Sequence, residues 1–297
     1  MGAAIVCEGL TKKQKQLTTL KEVSVSIPEN TIVGVVGRNG AGKTTLLKIL
    51  AGLWRASAGN VHVLGENPFN SLYVSANTIY ISNEMVLPNS LSLSVLLTEA
   101  GRFYPRWNDD LARRFVEYFG FRDNDLYTQL STGKRNTFNA IIGLSSRCPI
   151  TIFDEPTTGM DQAVRNDFYR ALLKDYLQVP RTILLSSHHL EEVEELLESV
   201  LLLDRGKKQL YLPMDDVKHE AVGLTGRTEL VYTYTQAKTV FYRESIGMDT
   251  TYTVIKANQV DMEKAKQLGI QVTPVSASDF CVYLTRAGKG AIDDVFQ

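Results

Sequence analysis

Cysteine is scarce in this chain. There are three in 297 residues, Cys7, Cys148 and Cys281, scattered and odd in number. They form neither a disulfide framework nor a set of metal thiolates, and they point to a reducing compartment. Charge of one sign is also missing. Thirty-two basic residues stand against 33 acidic ones, for a net charge of −1. The basic footprint of a nucleic-acid binder is therefore lacking, and no nucleic-acid partner is expected. The one basic cluster, Lys12 to Lys21, reads as a solvated loop. No apolar run approaches the roughly 20 residues that cross a bilayer. The first residues show no charged segment leading into an apolar core, and Met1-Gly2 lacks the Ser/Thr that myristoylation prefers. The expectation is a cytoplasmic chain whose membrane role, if it has one, comes through a partner.

What is present is an ordinary globular composition, 44% hydrophobic and 22% charged, enough for one large α/β domain and a small one. Its most informative stretch is Val35-Val36-Gly37-Arg38-Asn39-Gly40-Ala41-Gly42-Lys43-Thr44-Thr45. An apolar run, Ile32 to Val36, feeds a glycine-rich turn, and a helix pattern follows. That is the strand, loop and helix setting of a phosphate-binding G-x-x-x-x-G-K-[ST] loop. Flexible glycines let successive N–H groups, from Asn39 through Gly40, Ala41 and Gly42 to Thr45, converge on phosphate oxygens. The helix N-terminus adds partial positive charge, Lys43 reaches the β- and γ-phosphates, and the Thr44 hydroxyl suits Mg²⁺. ATP with Mg²⁺ is the expected ligand.

Taken in order, Ala3 to Cys7 and Val23 to Ile27 read as strands, with Leu10 to Lys21 as the polar connection between them. Val61 to Gly65 and Thr78 to Ser82 are short strands. Helix patterns then dominate: Ser92 to Tyr104, Asp109 to Phe119 capped by Asn108, and Arg135 to Leu144. They form a helical subdomain of about 84–146. A buried strand, Pro149 to Phe153, ends in Asp154-Glu155. A helix of about Ala163 to Tyr176, the strand Thr182 to Ser187, an acidic helix from Leu190 to Glu198 and the strand Val200 to Leu203 follow. Such alternation indicates a parallel sheet covered on both faces, with ligands at the carboxyl ends of its strands. Residues 1–217 are expected to form this nucleotide-binding domain. Residues 218–297 read as a small α+β appendage, with Thr228 to Thr235 as an exposed strand, Thr251 to Ile255 and Gln271 to Val275 as further strands, and a helix from Asp261 to Leu268.

Three groups at strand ends complete the chemistry. Asp154 is placed to hold the Mg²⁺ shell through water, opposite Thr44. Glu155 is poised to polarise a water in line with the γ-phosphate. His188 closes the next strand and can hydrogen-bond both the γ-phosphate and Glu155. A further loop, Leu130-Ser131-Thr132-Gly133-Lys134, leads into a helix and offers a second anion site.

In this order, Gly37 to Thr45, Leu130 to Lys134, Asp154-Glu155-Pro156, Thr158-Gly159-Met160-Asp161 and His188 resemble an ATP-binding cassette (ABC) ATPase over about residues 3 to 215. The resemblance implies a P-loop NTPase fold with a helical subdomain, and two cassettes facing head to tail. Ser131 and Gly133 of one subunit would bind the γ-phosphate held by the other, and Asp161 would contact the opposite subunit. It also implies a multi-span membrane permease as partner and a place on the inner face of the membrane. Phe103 to Asn108 is similar to bacterial single-cassette exporters with separate membrane subunits, as are Ala277 to Phe280 and Val282 to Thr285. This sequence departs from the family's pattern in three places. Thr132 and Lys134 stand where the signature usually has Gly and Gln. Asn83, followed by Glu84, stands where a glutamine would sense γ-phosphate and metal. No aromatic stands near Gln14 to stack on adenine. A regulatory cassette with little turnover, or a soluble cassette without a transport role, are the competing readings.

Overall fold

The structure, a computed structural model, describes residues 2–286. The described residues form two compact units: 2–188 together with 192–211, and 189–191 together with 212–286.

The first unit begins with a hairpin, β1 (Ala3–Gln14) and β2 (Leu17–Pro28), extended by β4 (Ala58–Val63) into an antiparallel sheet of order β2-β1-β4. The expected polar connection from Leu10 to Lys21 is strand instead. Leu10 and Leu20 are both fully buried and carry the inward face across the lysine-rich stretch, so only Lys15-Gln16 is left to turn. The lysines that suggested a loop have their side chains half-buried or exposed.

Between them, β3 (Ile32–Val36) enters the main sheet and α1 (Lys43–Leu50) leaves it. Then come α2 (Leu72–Asn77), β5 (Thr78–Ser82), the helices α3 (Leu93–Phe103), α4 (Asp109–Tyr118) and α5 (Thr132–Ser146), and β6 (Ile150–Asp154). The unit closes with α6 (Gln162–Gln178), β7 (Thr182–Ser187), β8 (Ser199–Asp204) and β9 (Lys207–Pro213). The six strands run in the order β5-β6-β7-β3-β8-β9. Pairing is parallel from β5 through β8. β3, β6 and β7 are buried along their whole length, as continuous apolar runs in a sheet covered on both faces should be.

Helix α4 starts where Asn108 accepts a hydrogen bond from the Leu111 N–H at 2.9 Å, the expected cap. Helix α5 is longer than the sequence pattern indicated, because Ser131 caps it three residues ahead of Lys134. It lies close on β6: a Cβ at Gly143 would sit 2.6 Å from the Phe153 ring, which meets Phe168 of α6 edge-on at 5.4 Å. Below that core, Asp175 pairs with Arg147 at 2.7 Å and with Arg181 at 2.8 Å. It ties the end of α5 and the start of β7 to α6. The acidic stretch after β7 is not one helix but two single turns, Leu190–Glu192 and Glu194–Leu196. Glutamates spaced three and four apart repel along a helix face.

The second unit has its own four-stranded antiparallel sheet, order β11-β12-β10-β13, from β10 (Ala221–Arg227), β11 (Val240–Ser245), β12 (Thr250–Lys256) and β13 (Gln271–Pro274). It carries α7 (Met214–His219), α8 (Thr228–Thr235), α9 (Met262–Gln267) and α10 (Ala277–Arg286). The division falls earlier than the expected 217/218. Thr228 to Thr235, expected as a strand, is helix α8. Its buried residues Val231, Tyr234 and Thr235 keep helical spacing, which overrides the β-propensity of its threonines and tyrosines. Those hydroxyls bond back along the helix, Thr235 to the Val231 carbonyl and Thr233 to the Glu229 carbonyl. Among the described residues, no helix is long and apolar enough to cross a membrane.

Candidate functional site

The parallel register aligns the chemistry. Ser82 of β5 lies beside Asp154 of β6, and Asp154 beside Ser186 of β7. Across β7, Val36 of β3 lies beside Ser187. The carboxyl ends of four strands thus form one edge, where ligands of open α/β sheets bind.

At this edge the loop from Gly37 to Gly42 turns from β3 into α1. Gly42 caps the helix with φ 106°, and a Cβ there would lie 2.8 Å from the Thr19 carbonyl oxygen. Only glycine serves both demands. Lys43 is 6% exposed. Its ammonium donates to the Gly37 carbonyl at 2.6 Å and pairs with Glu155 Oε1 at 3.4 Å.

Asp154 is 3% exposed and held by two hydroxyls, Ser186 on Oδ1 at 2.6 Å and Tyr80 on Oδ2 at 2.8 Å. Ser186 also accepts from the Glu155 N–H at 2.9 Å. The Tyr80 phenol is pushed far up, by burial and then by Asp154, so it stays a hydrogen-bond donor. Glu155 has φ 52°, a left-handed backbone that costs a non-glycine residue about 1–3 kcal/mol. The strain is held in place by Thr158, whose Oγ1 donates to the Glu155 carbonyl at 3.0 Å. It aims Glu155 sideways along the edge, between Lys43 and His188. His188 Nδ1 lies 2.7 Å from Glu155 Oε2. A carboxylate only accepts, so Nδ1 carries the hydrogen.

A cleft of about 520 Å³ opens over these groups, lined by Asn39 to Thr45, Asn83, Glu155, Thr158 and His188. Of the sequence-derived candidates, it gathers Asn39, Gly40, Ala41, Gly42, Lys43, Thr44, Thr45, Asn83, Glu155 and His188. Asp154 sits beneath it. The oxygen donors available (the Thr44 hydroxyl, the Asn83 amide and the Asp154 carboxylate) suit Mg²⁺. Among the described residues, no three His, Cys, Asp or Glu side chains are grouped to hold a metal ion.

Ser131, Gly133 and Asp161 are not in that lining. Gly133 packs instead on the turn that leads into Asp161. Ser131 caps α5 and Asp161 caps α6, accepting from the Val164 N–H at 2.9 Å. A Cβ on Gly133 would lie 2.2 Å from the Gly159 carbonyl oxygen, and Asn136 donates to the Thr158 carbonyl at 2.6 Å. The 157–160 turn is thereby clamped on the first turn of α5, with Ser131 and Asp161 both exposed.

Several site residues escaped the sequence reading. Tyr80 and Ser186 hold Asp154; only strand register reveals them, as residues near the ends of strands flanking β6. Thr158 braces Glu155. Leu17 and Thr19 line the cleft, and Leu17 is 67% exposed there. It pairs with Gln14 at the hairpin end, close to the position where no aromatic was found.

A family model described as ABC transporter matches residues 20–158. The ABC transporter ATP-binding protein NatA of Bacillus subtilis is 32% identical over 205 residues, 66% of this chain and 82% of that protein. The daunorubicin resistance ATP-binding protein DrrA3 of Streptomyces coeruleorubidus is 28% identical, over 74% of this chain and 71% of its own. Among solved structures, the ATP-binding subunit of an ABC transporter superposes with a TM-score of 0.66 at 22% identity, over 72% of this chain and 92% of its own. A dimeric ATP-binding cassette in a post-hydrolysis state with ADP and Pi gives 0.61 at 17% identity, over 71% and 98%.

Proposed function

The chain belongs to the ABC transporter family as an ATP-binding, ATP-hydrolysing cassette, and we propose that it powers an exporter by pairing head to tail with a second copy of itself. The observation that carries this reading is the separation of two incomplete halves. One chain presents the Lys43 cleft with Glu155 and His188, and, outside the lining of that cleft, an exposed Ser131 and Asp161 with a half-buried Gly133. Two copies related by a twofold axis would complete two sites at once.

In each site the loop N–H groups and Lys43 bind the β- and γ-phosphates. Thr44, Asn83 and Asp154 would hold Mg²⁺, Asp154 through water, and the ion would supply positive charge beside the phosphates. Glu155 takes a proton from the attacking water as its oxygen bonds to the γ-phosphorus and the bond to the β-phosphate oxygen breaks, leaving ADP and phosphate. His188 steadies Glu155 through Nδ1 and turns its other nitrogen to the γ-phosphate when protonated. Ser131 and Gly133 of the opposite copy close the site. Leu17 gives the base an aliphatic face instead of an aromatic one. Closure on ATP and release after hydrolysis shift the pair between two states, which a multi-span membrane subunit converts into transport. That partner places the cassette on the inner face of the membrane. Export is supported by relatives named for daunorubicin resistance and Nod factor export.

The test is purification of the chain from membranes. The expected result is co-purification with a multi-span membrane protein and ATP hydrolysis that Glu155→Gln abolishes. A chain recovered alone from the soluble fraction, with hydrolysis unchanged by that substitution, would overturn the reading.

A further inference from the structure

The turn that carries Asn83 is held from two sides. Asn83 and Glu84 occupy its centre, closed by the Met85 N–H donating to the Ser82 carbonyl at 3.1 Å. On one side, Glu84 Oε2 accepts from Lys48 at 2.9 Å. Lys48 stands on α1 four residues after Thr44, on the same helix face, and its ammonium also lies 5.1 Å from the centre of the Trp54 ring. Trp54 is folded back by its own N–H, which donates to the Lys48 carbonyl at 3.1 Å. On the other side, the Met85 carbonyl accepts from the Tyr127 hydroxyl at 3.0 Å.

An asparagine is short. Its amide has less reach than a glutamine's, so the position of its backbone decides whether it meets a metal at the Thr44 end of the cleft. We propose that Glu84 is a positioning residue: through Lys48 and Trp54 it fixes the Asn83 turn to the phosphate-loop helix, so that Asn83 reaches the magnesium of bound ATP. The inference rests on the nucleotide reading above. Glu84 is exposed and its ion pair contributes little to folding, so its substitution separates positioning from stability.

The test compares the full-length chain with Glu84→Gln, and with the reversed pair Lys48→Glu/Glu84→Lys. Glu84→Gln is expected to lower kcat and weaken apparent Mg²⁺ affinity by about 3–10-fold, with KM for ATP within about twofold and the melting temperature unchanged. The reversed pair should recover most of that loss. A readout independent of turnover is Trp54 emission in a Trp107→Phe background: Mg²⁺ added to the ATP-loaded protein should change it, and Glu84→Gln should remove the change. Unaltered Mg²⁺ dependence and an unaltered Trp54 response in Glu84→Gln would overturn the proposal, as would a kcat loss that tracks a fall in melting temperature. If Glu155→Gln turned over ATP at the normal rate, the nucleotide reading itself would fail, whereas the Trp54 response would still judge the clamp.

Discussion

The two glycine-containing turns of the first unit that the sequence marked as anion sites, Gly37 to Lys43 and Ser131 to Lys134, both begin helices and end up in opposite situations. The first is crowded. Lys43 is nearly buried and tied to Gly37 and Glu155, and β7, which pairs with β3, and β6 beyond it deliver His188 and Glu155 to the same cleft. The second is bare. Ser131 satisfies only the first turn of its own helix, and what packs on it is the Gly159 turn rather than an acid, a base or a cation. On the proposed function, the catalytic groups belong to the first turn and the second is presented to the opposite copy.

Breaking the crowded end should have the largest effect. Glu155→Gln should reduce ATP hydrolysis by about 10²–10⁴-fold, the usual contribution of a general base, while equilibrium dialysis finds ATP still bound. The bare end should respond differently. Gly133→Ala places a methyl against the Gly159 carbonyl, so the 157–160 turn must shift. We expect a stability loss of about 1–3 kcal/mol in denaturant melts and loss of hydrolysis, with ATP affinity of the isolated chain within about twofold, because the turn holds Thr158 of the cleft lining but none of the phosphate-loop residues. Equal loss of nucleotide binding in both variants would erase the distinction.

The edge of the crowded cleft gives a smaller effect. Leu17→Tyr should tighten ATP binding by about fivefold, through stacking of about 1 kcal/mol, and sharpen preference for adenine in competition with other nucleotides. The smallest effect concerns thiols, which serve neither turn. Burial raises Cys7 to about 12, Cys148 to about 11 and Cys281 to about 12, so a thiol reagent at pH 8 should label the native protein slowly and the unfolded one fast. Unfolded thiols ionise near their ordinary pKa, about 8.5, whereas the folded ones stay protonated. The unfolded state therefore holds fewer protons above that point, and stability should fall as pH rises from about 9 toward 12.

The crowded end was legible in the sequence because its residues are near neighbours in motifs that carry their own geometry. A glycine-rich turn between an apolar run and a helix can do little else, and Asp154-Glu155 and His188 each follow a strand whose apolar run marks it. What was not legible depends on register. That Tyr80 and Ser186 hold Asp154 follows only from β5 and β7 flanking β6, an order that no local pattern encodes. The hairpin end at Leu17 was hidden by lysines that looked like loop. Helix α8 was misread because threonine and tyrosine favour strands when seen alone. At the bare end, Ser131 could be picked as a helix cap from sequence; the role of Gly133 in admitting the Gly159 carbonyl could not, since the two are brought together by the packing of the 157–160 turn on α5.

The central claim is that the Lys43 cleft of one copy meets the Ser131 turn of another. It is tested most directly by a disulfide between them: Arg38→Cys and Thr132→Cys, both at exposed positions, placed in separate copies of the Glu155→Gln chain whose native thiols are buried. The account predicts a crosslinked dimer that forms on mild oxidation with ATP and Mg²⁺ and not without them. A crosslink that never forms, or forms equally without nucleotide, would contradict it.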